Sequence, residues 1–287
     1  MSAPDLPAPA VPRATARRTL VAVGNEVGKG LLHGWAERKQ IVLELVMFVA
    51  IFLLFAALLG QGEAIADGRF EWSFDPLRTA WLFVGFAAFQ FHYLQTQKLF
   101  WRLLGEIQTG TLDQVFLSPL PSWVVAAAGR VVASAAETVL VVTALYAGTR
   151  LAVPIDLAWH PDALLAGASF VAASVGYSLA IGGLTLRFKR IEILSDGLHI
   201  LVLFLAGAMV PLSQIPGWMA AVGRFLPITH PIAALRTTLL DGSGLHLTGD
   251  GGIVWLAATA AGWLALGAVA FHRGDVSARR DGTLTRY

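Results

Sequence analysis

The feature that most limits what this chain can become is a series of long apolar runs. Each is close to the length a helix needs to cross a hydrocarbon core, about twenty residues. They occupy residues 41–60, 79–97, 123–148, 163–186, 193–210 and 252–271. The fifth is barely long enough and contains Asp196. In lipid, a backbone must satisfy its own polar groups, so such runs are helices. The sequence therefore predicts an all-α polytopic membrane protein with six transmembrane helices, residues 41–272 forming one membrane domain. Charge usage agrees: 14% of residues are charged, where a soluble domain has about a quarter. The chain has no Cys, which excludes disulfides and cysteine-ligated metals.

Between the runs lie segments of different character. Residues 1–12 carry four prolines and are expected to be a disordered tail. Residues 13–40 are basic, and Leu20, Val23, Val27, Leu31 and Trp35 recur at helical spacing. That pattern predicts an amphipathic helix in the membrane interface, weakened by Gly24, Gly28, Gly30 and Gly34. Within it, residues 24–30 (GNEVGKG) resemble a phosphate loop. Only three residues separate Gly24 from the Gly-Lys pair, and Gly30 follows the Lys instead of Ser or Thr. The Walker A geometry fails, and no other nucleotide site is present in the sequence. Residues 273–287 form a polar, basic tail.

Two segments stand apart. Residues 102–121 (RLLGEIQTGTLDQVFLSPLP) are a polar island between apolar runs. They predict a short helix in water against the membrane, closed at Ser118-Pro119 because Pro ends helices and biases the preceding residue away from them. Residues 211–242 are apolar but cut by Pro211, Pro216, Pro227 and Pro231. The uncut pieces are about ten residues, or roughly 15 Å of helix, too short to cross. A re-entrant pair of short helices, bent at 227–231 and entering and leaving on the outer side, is expected, with Arg236 near the outer interface.

Lys and Arg set the orientation. With the N-terminus inside, cytoplasmic segments hold fifteen and outer segments five, and Arg130 lies within a run. Both termini and the polar island are then cytoplasmic.

The island resembles the cytoplasmic loop of ABC-2 type transporter permeases, of the daunorubicin-resistance and polysaccharide-export kind. Glu106, Gly110-Thr111-Leu112, Asp113-Gln114 and Ser118-Pro119 carry the likeness. A second likeness lies in Ile215-Pro216-Gly217-Trp218, Leu226-Pro227-Ile228-Thr229 and Ala234-Leu235-Arg236; the family's usual aromatic after Thr is here His230-Pro231. The resemblance implies the permease subunit of an ATP-driven exporter in a bacterial plasma membrane. Two permeases, identical or homologous, would work with two ATPase subunits, which bind ATP and Mg. The ATPase would touch Glu106, Gly110, Thr111, Leu112, Asp113, Ser118 and Pro119. Cargoes in the family include drugs, antibiotics, lipids and glycans.

Polar residues inside the runs are expected to face protein or water. Arg130 and Glu44 lie within snorkelling reach of a cytoplasmic end. Gln90, His92, Glu137 and His199 are candidates for a substrate path, with structural hydrogen bonding as the other reading. Arg130 and Glu137 are too far apart along one helix to pair. Ser174, Ser178 and Gly182 form a small-residue face that lets two helices approach. Gly176-Tyr177-Ser178 begins like a nucleophile elbow, but Ala180 replaces its second Gly. With no paired nucleophile and base, no H-E-x-x-H, no metal site and no nucleic-acid signature, the chain reads as a transport subunit and not an enzyme. The alternative is an ion-coupled secondary transporter using Glu137.

Overall fold

A computed structural model describes residues 16–36, 38–59, 75–109, 122–153, 155–188 and 191–280. The described residues are all-helical: α1 (Ala16–Ala36), α2 (Arg38–Leu59), α3 (Pro76–Thr109), α4 (Ser122–Ala152), α5 (Ala163–Phe188), α6 (Glu192–Leu205), α7 (Gly217–Gly223), α8 (Thr229–Leu239) and α9 (Ile253–Arg280), with one 3-10 turn at Leu212–Gln214. Four of them, α2, α4, α5 and α9, are long and apolar enough to cross a membrane.

α3 runs past its apolar stretch. Its 34 residues make about 51 Å of helix, well beyond a core of about 30 Å. Residues 102–109, expected in a separate short helix, are its last two turns. α6 is shorter than the apolar run that encodes it. It stops at Leu205 because Gly207 adopts a left-handed conformation, φ +75°, which ends helices and is open to glycine at little cost.

Side-chain contacts fix the helix directions. His92 Nδ1 lies 3.2 Å from Ser174 Oγ, and Thr96 Oγ1 lies 2.9 Å from Ser178 Oγ, so α3 and α5 run the same way. The small face on α5 is therefore turned toward α3. α5 and α9 also run together, and glycines let them touch. A Cβ at Gly176 would collide with the Trp263 backbone, and one at Gly183 with Ala270; Gly267 and Gly274 answer from α9, against the carbonyls of Gly176 and Gly183. The two glycines on each helix are seven residues apart, two turns, so they stay on one face. This is close packing by small residues, as membrane helices use it. Phe52 of α2 packs on Phe83 and Phe86 of α3 at centroid distances of 5.4 and 5.5 Å.

α1 packs on α4, where Gly129 makes room for Glu26 and Gly30 makes room for Ala133. Its helix-weakening glycine at position 30 is thus a contact point, while Gly24 and Gly28 face open space. Leu20 and Trp35 of the apolar stripe are exposed.

In the proline-cut segment, α7 and α8 are joined by a turn at 224–228. Pro227 is in that turn, whereas Pro231, expected at the bend, stands in the first turn of α8, where a missing N–H costs no helix bond. α8 sits among the N-terminal ends of α3, α5 and α9: Ala234 clusters with Ala166 and Leu256, and the His230 ring stacks on Trp255 at 4.8 Å.

Candidate functional site

The island's flanks are described, and they form an antiparallel hairpin of α3 and α4. Gly110, Thr111, Leu112, Asp113, Ser118 and Pro119 lie outside the described residues. Glu106, one turn before the end of α3, is bound by Arg130 of α4: Arg130 Nε donates to Glu106 Oε1 at 3.0 Å, and its Nη2 bonds the second carboxylate oxygen. Arg130 does not snorkel. It is 1% exposed, and a buried guanidinium is tolerable only beside a carboxylate. Two turns away, Lys98 of α3 pairs with Glu137 of α4.

The two pairs have opposite polarity. α3 presents a cation and then an anion, and α4 answers with an anion and a cation. Sliding the helices by two turns either way would set Lys98 against Arg130 or Glu106 against Glu137. Like charges brought together disfavour those registers, so the pairs lock this one. Nothing within a single helix signals this. Arg130 and Glu137 are legible as misplaced charges, but their partners Glu106 and Lys98 look like loop residues.

A cavity of about 510 Å³ opens beside the hairpin, between α2, α3 and α4. Its polar lining comes from Gln40, Glu44, Gln97, Lys98, Arg102 and Glu137, and its apolar lining includes Met47, Phe48 and Trp101. Glu44 accepts a hydrogen bond from Gln40 Nε2 at 2.8 Å. Trp101 and Arg102 form the wall shared with a second cavity of about 380 Å³ against α1.

Of the four substrate-path candidates, only Glu137 lines this cavity. Gln90, His92 and His199 are buried. His92 and His199 belong to a polar and aromatic cluster with Tyr93, Tyr177 and Ser174, drawn from α3, α5 and α6; the two imidazoles are 5.7 Å apart. His199 Nδ1 meets the Ser195 carbonyl at 2.7 Å. His92 Nε2, His199 Nε2 and Tyr177 Oη are buried and have no partner among the described residues. Such groups in a helix bundle call for water or a polar guest.

In the proline-cut segment, Pro216 caps α7 and Trp218 is exposed on it. Thr229 Oγ1 donates to the Gly223 carbonyl at 2.6 Å, tying α8 back to α7. Arg236 reaches across the bundle end. Its guanidinium donates to the carbonyls of Gly207 and Ala208 at 2.8 Å each, contacts that of Trp81 at 3.3 Å, and lies over the Trp81 ring. Gly207 and Ala208 lie in the turn that follows α6, outside any helix ladder, and Arg236 supplies the donors their carbonyls lack. Gly85 is what makes room, since a Cβ there would strike both Ala208 and the guanidinium.

Among the described residues no group of His, Asp and Glu could hold a metal ion. No curated protein matches the chain significantly. The family model described as ABC-2 type transporter matches residues 27–240, a stretch that takes in the hairpin, its loop and the proline-cut segment. Together with four membrane-length apolar helices among the described residues, this match makes residues 27–240 a membrane-embedded transporter domain that is not itself an ATPase, and the chain belongs to the ABC-2 type transporter family.

Proposed function

We propose that this chain is the permease subunit of an ATP-driven exporter with six spans and both termini cytoplasmic, residues 211–242 forming an outer re-entrant pair. Two permeases assemble with two copies of a separate ATPase, which holds ATP and Mg. Cargo is a drug- or antibiotic-like, lipid or glycan-like molecule, taken from the cytoplasm or inner leaflet of a bacterial plasma membrane. The observation that carries this reading is the α3–α4 hairpin. Its arms flank the family-like loop at 110–121 and are joined by the pairs Glu106–Arg130 and Lys98–Glu137.

The hairpin suits the task of moving as a unit. The ATPase holds residues 111–116 by apolar contact, with Asp113 giving orientation through charge-assisted bonds. Glu106 carries the push into α4 through Arg130. ATP favours whichever permease arrangement its bound ATPase grips more tightly. Cargo that shares the preference raises ATP turnover, since binding free energies are linked both ways. The cavity beside Lys98 and Glu137 lies next to the moving arms and is the entry point. Glu137 already holds an ion-pair partner, which disfavours its use as the free proton carrier of a secondary transporter.

The test is substrate-stimulated ATP hydrolysis by the reconstituted complex, measured beside export in cells. Pro119→Ala is expected to insert normally, lower export and uncouple cargo from hydrolysis. Glu106→Ala is expected to lower export and uncouple in the same way, with a loss of stability besides because it takes the carboxylate from buried Arg130. Normal export by both variants, or export by the purified chain alone, overturns the reading.

A further inference from the structure

At the far end of the α5–α9 pair from α8 lies a cavity of about 530 Å³ lined by Arg187, His272, Arg273, Val276, Ser277 and Arg280. Among the described residues no carboxylate lines it. Arg187, Arg273 and Arg280 are exposed, and none of the three has an ion-pair partner among the described residues. Asp275 does not line the cavity; it is buried and already engaged. Three guanidiniums from two helices, converging without an acid, make a cradle for an anion with several acceptor oxygens. Phosphate is the group whose geometry the guanidinium fork matches.

What surrounds the cradle says what carries the phosphate. Residues 266, 269, 273, 276, 277 and 280 fall on one face of α9 by helical spacing. Along that face exposed Leu266 and Val269 give way to Arg273 and, two turns further, Arg280. On α5 the change is as abrupt: Leu186 is buried, Arg187 follows, and its guanidinium stands 5.2 Å from the exposed Phe188 ring. An apolar strip ending in a basic pocket matches a molecule with acyl chains and a phosphate head. A soluble anion would gain nothing from the strip, and an acidic protein surface would not need it.

We propose that Arg187, Arg273 and Arg280 bind the headgroup phosphate of an anionic phospholipid whose acyl chains lie along Leu266 and Val269. The lipid clips the end of the α5–α9 pair, beyond the buried contact that Leu186 and Phe271 make. This inference rests on the membrane placement of α5 and α9, not on the export reading, so failure of one leaves the other standing.

The experiment uses the full chain purified in mild detergent. Lipid retained through native mass spectrometry and the thermal unfolding midpoint are measured with added phosphatidylglycerol, phosphatidylcholine or glycerol phosphate. Phosphatidylglycerol is expected to be retained and to raise the midpoint, phosphatidylcholine to do so weakly, and glycerol phosphate not at all. R187Q/R273Q/R280Q and the milder R273Q/R280Q are expected to weaken phosphatidylglycerol binding, the triple variant by more than about tenfold, given the attraction each basic residue adds near an anionic surface. All three side chains are exposed, so both variants should fold as the parent does in phosphatidylcholine. Equal retention of the two lipids, or equal retention by parent and variants, overturns the proposal. So does a matching shift from glycerol phosphate, which marks a soluble-anion site. Variants that keep the lipid but no longer co-purify with the ATPase assign the surface to that partner instead.

Discussion

At the scale of single residues, two arginines hold the described structure together by different chemistry. Arg130 is a buried ion-pair partner; removing it strands Glu106 in a half-buried place. Arg130→Met is therefore expected to lower stability by about 3 kcal/mol, the low end for breaking a buried pair. Glu106→Gln still accepts a hydrogen bond but leaves the more deeply buried Arg130 charge uncompensated, so it should cost at least as much. The exchange E106R/R130E should recover part of the loss, because the pair is restored with its polarity reversed. Denaturant or thermal unfolding in detergent measures all three, and no recovery in the exchange would show that the pair contributes nothing as a pair. Arg236 acts on backbone instead. Its fork serves carbonyls of the α6 terminus and of Trp81 together, a geometry a lysine ammonium does not match. Arg236→Lys is expected to unfold earlier than the parent, and Arg236→Met earlier still, with buried carbonyls left unpaired at about 1–3 kcal/mol each. The sequence marks both arginines as out of place, one inside an apolar run and one in an apolar segment cut by prolines. It does not mark their partners, because those are backbone carbonyls and a residue that looks like part of a loop.

At the scale of elements, the decisive contact is α5 on α9. Gly176→Leu or Gly267→Leu would force the helices apart, and overpacking of this kind costs about 1–3 kcal/mol or more. The same change at Gly167 or Gly262, each facing open space, should leave the unfolding midpoint close to the parent's. If all four behave alike, the glycines do not set the helix approach. The apolar runs made α2, α4, α5 and α9 legible from the sequence, since a stretch of membrane length admits little besides a helix. They also made a small-residue face on α5 legible, but not which helix it meets. Ser174 and Ser178 turn to α3, where His92 and Thr96 offer hydrogen bonds, while α9 takes Gly176 and Gly183. The extension of α3 to Thr109 was hidden for a related reason. Hydropathy falls at Gln95-Thr96-Gln97-Lys98, yet the helix continues because α4 supplies ion-pair partners to its polar turns. The end of α6 is hidden too, since a glycine within an apolar run gives no sign that it will turn left-handed.

At the scale of the whole molecule, helix directions determine how the chain is threaded. α3, α5 and α9 run the same way, so the chain must return between each and the next. α4 makes the first return, antiparallel to α3. The second belongs to α6: Gln97 Nε2 donates to Asp196 Oδ1 at 2.8 Å, Tyr93 packs on His199, and Gly85 abuts Ala208. α6 thus climbs α3 in the opposite direction, from the level of Gln97 to that of Gly85. Its 14 residues span only about 21 Å, and the turn after Leu205 completes the distance up to Trp81. The link between α8 and α9 then sits at the same end as the start of α5, where Leu245 N–H donates to Asp162 Oδ2 at 2.8 Å. In the proposed six-span arrangement Ser243 and Ser277 lie on opposite sides of the membrane, and the basic tally predicts a cytoplasmic Ser277. The chain has no native cysteine, so Ser243→Cys and Ser277→Cys are clean single probes. An impermeant maleimide added to intact cells is expected to label the first, and to reach the second only after the membrane is opened. Labelling of both from outside would mean that α9 does not cross, and labelling of Ser277 alone that α6 does not return the chain; after either result the six-span arrangement with its cytoplasmic coupling loop would have to be abandoned.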